Sequence, residues 1–256
     1  MDIRLNNFSV LTPYIIPESM DKTVNIGDGF ILKAIERHIG NFIPGNVLSN
    51  RELPGSLDAL RDTKVTLLAG ANQLGHDFNV TPGFPLEELV SSPNVYIPFA
   101  VGYKGTSPHN MTFNGEANSV INAIHERIKF SSWRCPVTIR QLSLAFPQHK
   151  SKFLMTGCPV LYDEPLMNGN NFNDNKESVA VTITERGPYF DVNEFKLINF
   201  VAKQYTGIEK YLVLHQDYTS DPRAQVLHKK AIELGFTVIL PKSAKDAIDL
   251  YKKIDF

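Results

Sequence analysis

Between residues 178 and 253 the chain alternates short β-prone apolar runs with helical patterns, and this alternation restricts the fold more than any other feature. The periodicities predict strands over 178–184, 211–214 and 236–240 and helices over 192–205, 222–234 and 244–253. Strands separated by helices imply parallel βαβ units with right-handed crossovers, because a parallel neighbour is reached only by a long return connection. The helix ends carry independent signals. Asp191-x-x-Glu194 and Ser243-x-x-Asp246 have the form of capping boxes, and Asp221-Pro222 joins an N-cap to a proline at the first helical position. Gly207 and Gly235 stand where helix C-caps fall.

The earlier part of the chain repeats the theme less regularly. A strand is predicted over 8–11, and Val65-Thr66-Leu67-Leu68-Ala69 reads as a strand buried on both faces that ends at Gly70-Ala71-Asn72. Residues 94–102 read as a further strand, in which Pro98 argues for an edge or an irregularity. A helix is expected over 116–129, capped by Asn114, with Val120, Ile121, Ile124 and Ile128 on one face. Two short strands, 137–140 and 153–156, flank a helix-like segment. Asn supplies five of the eight residues from Asn168 to Asn175, a composition suited to a linker. The expected organisation is therefore α/β, with a Rossmann-like domain over 1–168, a linker over 169–176 and a second Rossmann-like half over 177–256. That half reads as incomplete, because it holds three strands and their helices.

Net charge is −1, with acids and bases interspersed, which argues against a nucleic-acid partner. The apolar runs are too short for a membrane span and the N-terminus lacks the pattern of a signal peptide, so a cytoplasmic location is the expectation. The two cysteines form neither a disulfide scaffold nor a metal cluster. With strands at 137–139 and 153–155 as parallel neighbours, Cys135 and Cys158 would lie at opposite strand ends, about 13 Å apart at about 3.3 Å per residue, and reduced. The histidines show no ligand spacing, so no metal site is expected.

The stretch with most chemical content is Asn25-Ile26-Gly27-Asp28-Gly29, a polar turn before the helical pattern Phe30-Ile31-x-x-Ala34-Ile35-x-x-His38-Ile39. An Asp ahead of such a pattern is expected to cap the helix, and the turn gathers a carboxylate and free backbone N–H groups. Those N–H groups suit an anion. Further along stand Leu68-Ala69-Gly70-Ala71-Asn72, Ile139-Arg140-Gln141-Leu142-Ser143, Thr156-Gly157-Cys158-Pro159-Val160-Leu161 and Leu214-His215-Gln216-Asp217. In their order these blocks resemble the polysaccharide pyruvyltransferase family, beginning with its Asn-x-Gly-Asp. Ala69 and Ala71 stand where that family more usually has glycine, and Gln141 replaces an acid. The family's Arg-x-His segment has no counterpart in this chain.

The resemblance implies a glycosyltransferase-B-like architecture of two Rossmann-like domains and a ketal-forming transferase that needs no cofactor. Such an enzyme moves pyruvate from phosphoenolpyruvate onto a sugar or lipid-linked sugar in surface polysaccharide biosynthesis. The carboxylate and phosphate of that donor call for guanidinium forks. Arg140, read at the carboxyl end of a short strand, is the candidate, the other reading being a salt bridge. Asp28 would activate an acceptor hydroxyl or cap its helix, and His215 would act as acid or base or sit idle in a loop. Asn25 and Gly27 would shape the turn. Gly70 and Asn72 would line the site, or Gly70 would serve a tight turn alone; Lys104, beside Tyr103, would offer a second cation or be a solvated loop lysine, and Arg186 would contact a donor phosphate or form a local ion pair. A nucleotide-sugar glycosyltransferase on the same fold is the enzymatic alternative, and a non-catalytic relative without a donor site is the third reading. An open sheet edge would suit a homo-oligomer.

Overall fold

The computed structural model describes residues 8–14, 25–40, 46–53, 58–60, 63–104, 111–163, 177–183, 190–215 and 221–254. The chain is a mixed α/β protein with parallel sheets. It divides into two compact units, one built from Met1–Ile16 and Phe30–Asp163, the other from Pro17–Gly29 and Glu164–Phe256. The second unit thus takes in a segment from near the N-terminus. The Asn-rich stretch lies outside the described residues.

In the first unit, β1 (Phe8–Thr12), β2 (Val47–Ser49), β3 (Val65–Ala69) and β5 (Val95–Phe99) form a parallel sheet in the order β2-β1-β3-β5. The order changes direction between β1 and β3, and ligands of open α/β sheets bind outside the carboxyl ends of strands at such a point. β4 (Asn72–Leu74) pairs in parallel with β6 (Gly102–Tyr103), and β7 (Ser131–Trp133) with β8 (Phe153–Met155). A parallel bridge between Val101 and Trp133 links the β5 end to β7. Pro98 lies on β5, the strand that ends the four-stranded ladder, where a missing N–H costs no ladder bond.

Four helices accompany these strands among the described residues: α1 (Ile26–Ile39), α2 (Leu86–Ser91), α3 (Gly115–Arg127) and α4 (Pro136–Ala145). Asn114 caps α3 as expected, its side chain accepting from Ala117 N at 2.7 Å. Val120, Ile121, Ile124 and Ile128 face the core, packed with Leu11, Leu68, Trp133, Leu142 and Phe146.

The expected strand at 137–140 is a correction: these residues lie in α4, and the strand is Ser131–Trp133. Val137, Thr138 and Ile139 are β-branched, but Pro136 fixes the first helical turn and the Cys135 thiol accepts from Thr138 N at 3.4 Å. Thr138 and Leu142, four residues apart, are both fully buried. The cysteine placement changes with it. Cys135 follows β7 and Cys158 follows β8, so both lie beyond the carboxyl ends of neighbouring parallel strands, and both are free thiols.

The second unit holds β9 (Ser178–Thr182), β10 (Glu209–Val213) and β11 (Phe236–Ile239), parallel in the order β11-β10-β9, with α5 (Phe190–Gln204), α6 (Pro222–Glu233) and α7 (Ala244–Tyr251). Asp221 and Ser243 cap α6 and α7 through Arg223 N and Asp246 N. Gly207 and Gly235 adopt φ of +85° and +83°, the left-handed geometry of a helix C-cap. The side chain of Asp191 lies outside the described residues. Val181, Ile198, Leu212, Leu227 and Phe236 form the core.

Candidate functional site

In the second unit the Asn25 turn and His215 are neighbours. α1 begins at Ile26, whose N–H donates to the carbonyl of His215 at 2.9 Å, just beyond the carboxyl end of the central strand β10. The cap differs from expectation. Asn25 performs it, its side-chain oxygen accepting from Gly27 N at 3.1 Å, whereas Asp28 lies inside the first helical turn and is buried. An Asx side chain one residue ahead of the helix is positioned to accept; one already within it is not. A Cβ at Gly27 would stand 3.2 Å from the Asn25 oxygen, so this turn favours a glycine. A carboxylate in a first turn complements the helix dipole.

His215 has a partner that periodicity does not reveal. Its Nε2 lies 2.6 Å from Tyr251 Oη at the end of α7, and the rings meet edge to face. Burial lowers the His215 pKa from its usual value and pushes the Tyr251 phenol up to about 12.

The first unit gathers the other candidates at its strand ends. Gly70 (φ +57°) and Ala71 (φ +57°) follow β3, and Ala100 (φ +55°) follows β5. Gly70 N donates to Phe99 O at 2.8 Å, and Gln73 Nε2 donates to Gly70 O at 2.6 Å, which pins the turn. The glycine is demanded by packing as well as by φ: a Cβ there would come 2.2 Å from Ile31 Cγ2 on α1. Asn72 is exposed beside Gly102, where a Cβ would meet its side-chain oxygen at 2.5 Å and Arg134 Nε at 3.3 Å. Lys104 is exposed, its N–H donating to Leu74 O at 2.6 Å.

Arg134 is the residue that sequence reasoning missed. It directly follows β7, is half-buried, and makes no side-chain hydrogen bond or ion pair among the described residues. Its N–H donates to Val101 O at 3.0 Å, while Ala100 N donates to Ser132 Oγ at 2.9 Å and Ser132 in turn hydrogen-bonds the Thr156 hydroxyl. Arg140, by contrast, is exposed on α4, so the geometry expected of it, an arginine at a strand's carboxyl end, belongs to Arg134. The signal was Pro136: a proline at a helix start pushes the strand upstream and leaves Arg134 at its end. Arg186 lies outside the described residues.

Behind β7 a buried network holds the strand. His125 Nδ1 donates to Ile121 O at 2.7 Å, and its Nε2 accepts from Ser131 Oγ at 3.0 Å. Ser131 accepts from Trp133 Nε1 at 2.9 Å, and the Lys152 ammonium donates to His125 O. Burial pushes the His125 pKa down to about 4. No group of three His, Cys, Asp or Glu side chains suited to a metal ion, and no helix long and apolar enough to cross a membrane, occurs among the described residues.

The chain matches no family model, no curated protein and no solved structure. Its own groups among the described residues are Arg134, Asn72 and Lys104 at the strand ends of one unit and the His215–Tyr251 pair beside a capped helix start in the other.

Proposed function

We propose that the chain is a polysaccharide pyruvyltransferase-like enzyme that moves pyruvate from phosphoenolpyruvate to a sugar as a ketal, and that its two units are Rossmann-like in the glycosyltransferase-B manner. The observation that carries the proposal is Arg134. A half-buried guanidinium with no carboxylate partner among the described residues suits an arriving anion, and its fork of N–H donors fits a carboxylate or phosphate. Asn72 flanks it, and Gly102, lacking a side chain, lets the Asn72 side-chain oxygen and the Arg134 Nε pack against its backbone.

Ketal formation needs a proton delivered to the donor's methylene carbon, a sugar O–H deprotonated as its oxygen attacks, and phosphate as leaving group. In this reading Arg134 takes the place expected of Arg140 and holds the donor, with Lys104 as a further cation of the same unit. Asp28 and His215 are the acid–base candidates of the second unit, and Asn25, Gly27 and Gly70 shape turns within their own units.

The test is a thermal melt with phosphoenolpyruvate, inorganic phosphate and UDP-sugars. Donor at about 100 times its Kd adds about 2.7 kcal/mol, a rise of roughly 5 to 10 °C for a chain of this size. Arg134→Ala is expected to abolish the rise with phosphoenolpyruvate and Arg140→Ala to leave it unchanged. A rise with UDP-sugars alone would transfer the assignment to a glycosyltransferase.

A further inference from the structure

In the first unit a pair of amides ties three strand ends together. Asn50 directly follows β2 and is buried; its backbone N–H donates at 3.0 Å to the carbonyl of Thr12, which ends β1, and its Nδ2 donates to Gln73 Oε1 at 2.8 Å. Gln73 Nε2 donates in turn to Gly70 O at 2.6 Å and lies 3.4 Å from Ala69 O, where β3 ends. The direction of this relay is set by its last members. A backbone carbonyl only accepts, so the Gln73 nitrogen faces Gly70, its oxygen faces Asn50, and the Asn50 nitrogen donates. The turn held in this way is the one that carries Asn72. Gly102 N donates to Ala71 O at 2.7 Å, and a Cβ at Gly102 would stand 2.5 Å from Asn72 Oδ1 and 3.3 Å from Arg134 Nε, so Asn72 and Arg134 meet at one backbone position. Gly70 and Ala71, both at φ +57°, bring the chain there, and left-handed backbone at an alanine persists only where its surroundings hold it.

We infer that Gln73, oriented by Asn50, is a positioning residue of the Arg134 site: it holds the turn from Gly70 to Asn72 in its left-handed course, so that the Asn72 amide and the Arg134 guanidinium are presented to the same ligand. This deepens the reading of Arg134 as the donor-binding cation. It rests on that reading for the identity of the ligand, and not for the coupling of Gln73 to Arg134. Breaking the relay leaves the guanidinium in the chain and releases the turn beside it.

The Arg134 Nε–H resonance of the full chain, assigned by its loss in Arg134→Lys, reads the coupling without a ligand. Gln73→Leu removes both ends of the relay at similar volume, whereas Gln73→Glu keeps an acceptor for Asn50 but offers Gly70 O no donor. Both variants are expected to shift that resonance, and Asn50→Ala to shift it the same way by less; the last two serve where Gln73→Leu does not fold. Titrated with phosphoenolpyruvate, each Gln73 variant should show a Kd weakened about three- to tenfold, the range that a lost hydrogen bond spans. Asn50→Ala combined with Gln73→Leu should weaken it no further than Gln73→Leu alone, because a relay is broken only once. An Arg134 resonance that stays at its wild-type position in the folded variants would overturn the inference, as would losses that add in the double variant. If the wild-type chain binds no phosphoenolpyruvate, the reading of the ligand fails, and the resonance still decides the positioning.

Discussion

At Gly70 the backbone sits at φ +57° and Ile31 Cγ2 occupies the space a Cβ would need. Strain and overlap add, so Gly70→Ala is predicted to cost about 2 to 4 kcal/mol, read as a lowered Tm. Ala71 and Ala100 carry the same sign of φ with a side chain already present. Replacing either with glycine relieves left-handed strain but frees the unfolded chain, so each should stay within about 1 kcal/mol of wild type. His125 gives a pH dependence of definite sign. Above pH 6.5 the imidazole is neutral folded or unfolded; from there down to about pH 4 only the unfolded chain gains the proton, so stability falls. The loss is about 3 kcal/mol, complete near pH 4, and urea titrations across that window should show it. Burial lowers His149 and His215 as well, which adds to the same slope. A chain equally stable at pH 7 and pH 4 would exclude this account.

At the scale of elements, the caps carry measurable free energy. Asn114→Ala and Ser243→Ala should each cost about 1 kcal/mol, with urea midpoints lowered and m-values unchanged. The C-terminal turn of α1 is tied more strongly. Arg37 Nη1 lies 2.6 and 2.5 Å from the two oxygens of Asp163, whose side chain has no exposure, and Asp163 closes the turn Pro159–Tyr162. Arg37→Met would strand a buried carboxylate and is predicted to cost about 3 kcal/mol. The double variant Arg37→Met, Asp163→Asn should recover part of that, since the loss is one of an unpaired charge rather than of a favourable pair. Strand and helix identity were legible where cap, periodicity and glycine agreed, as at Asp221, Ser243, Gly207 and Gly235. They were misread at 137–140, where β-branched side chains outweighed the proline that starts a helix.

At the scale of the whole molecule, the chain enters the second unit twice, once at Pro17–Gly29 and again from Glu164. A fragment of residues 177–256 lacks Ile26, the donor to the His215 carbonyl. Its His215 resonances are predicted to differ from those of the full chain; coincident spectra would show that the turn does not shape that site. The sequence by itself determined the α/β class and the parallel sheets, through the alternation of strand and helix that only parallel crossovers satisfy, and most helix caps, which are contacts within a few residues. It also picked out Asn25, Gly27, Asp28 and His215, although not that they would meet, nor that Asn25 rather than Asp28 would cap the helix. The Asn25 cap and the strand that ends just before Arg134 turn on local geometry, the helix start at Ile26 and the proline at 136. Tertiary structure alone decided that the Asn25 turn meets His215, that Tyr251 partners His215, and that Ile31 fills the space beside Gly70, because each joins residues far apart in sequence through a sheet order and register that no local pattern encodes.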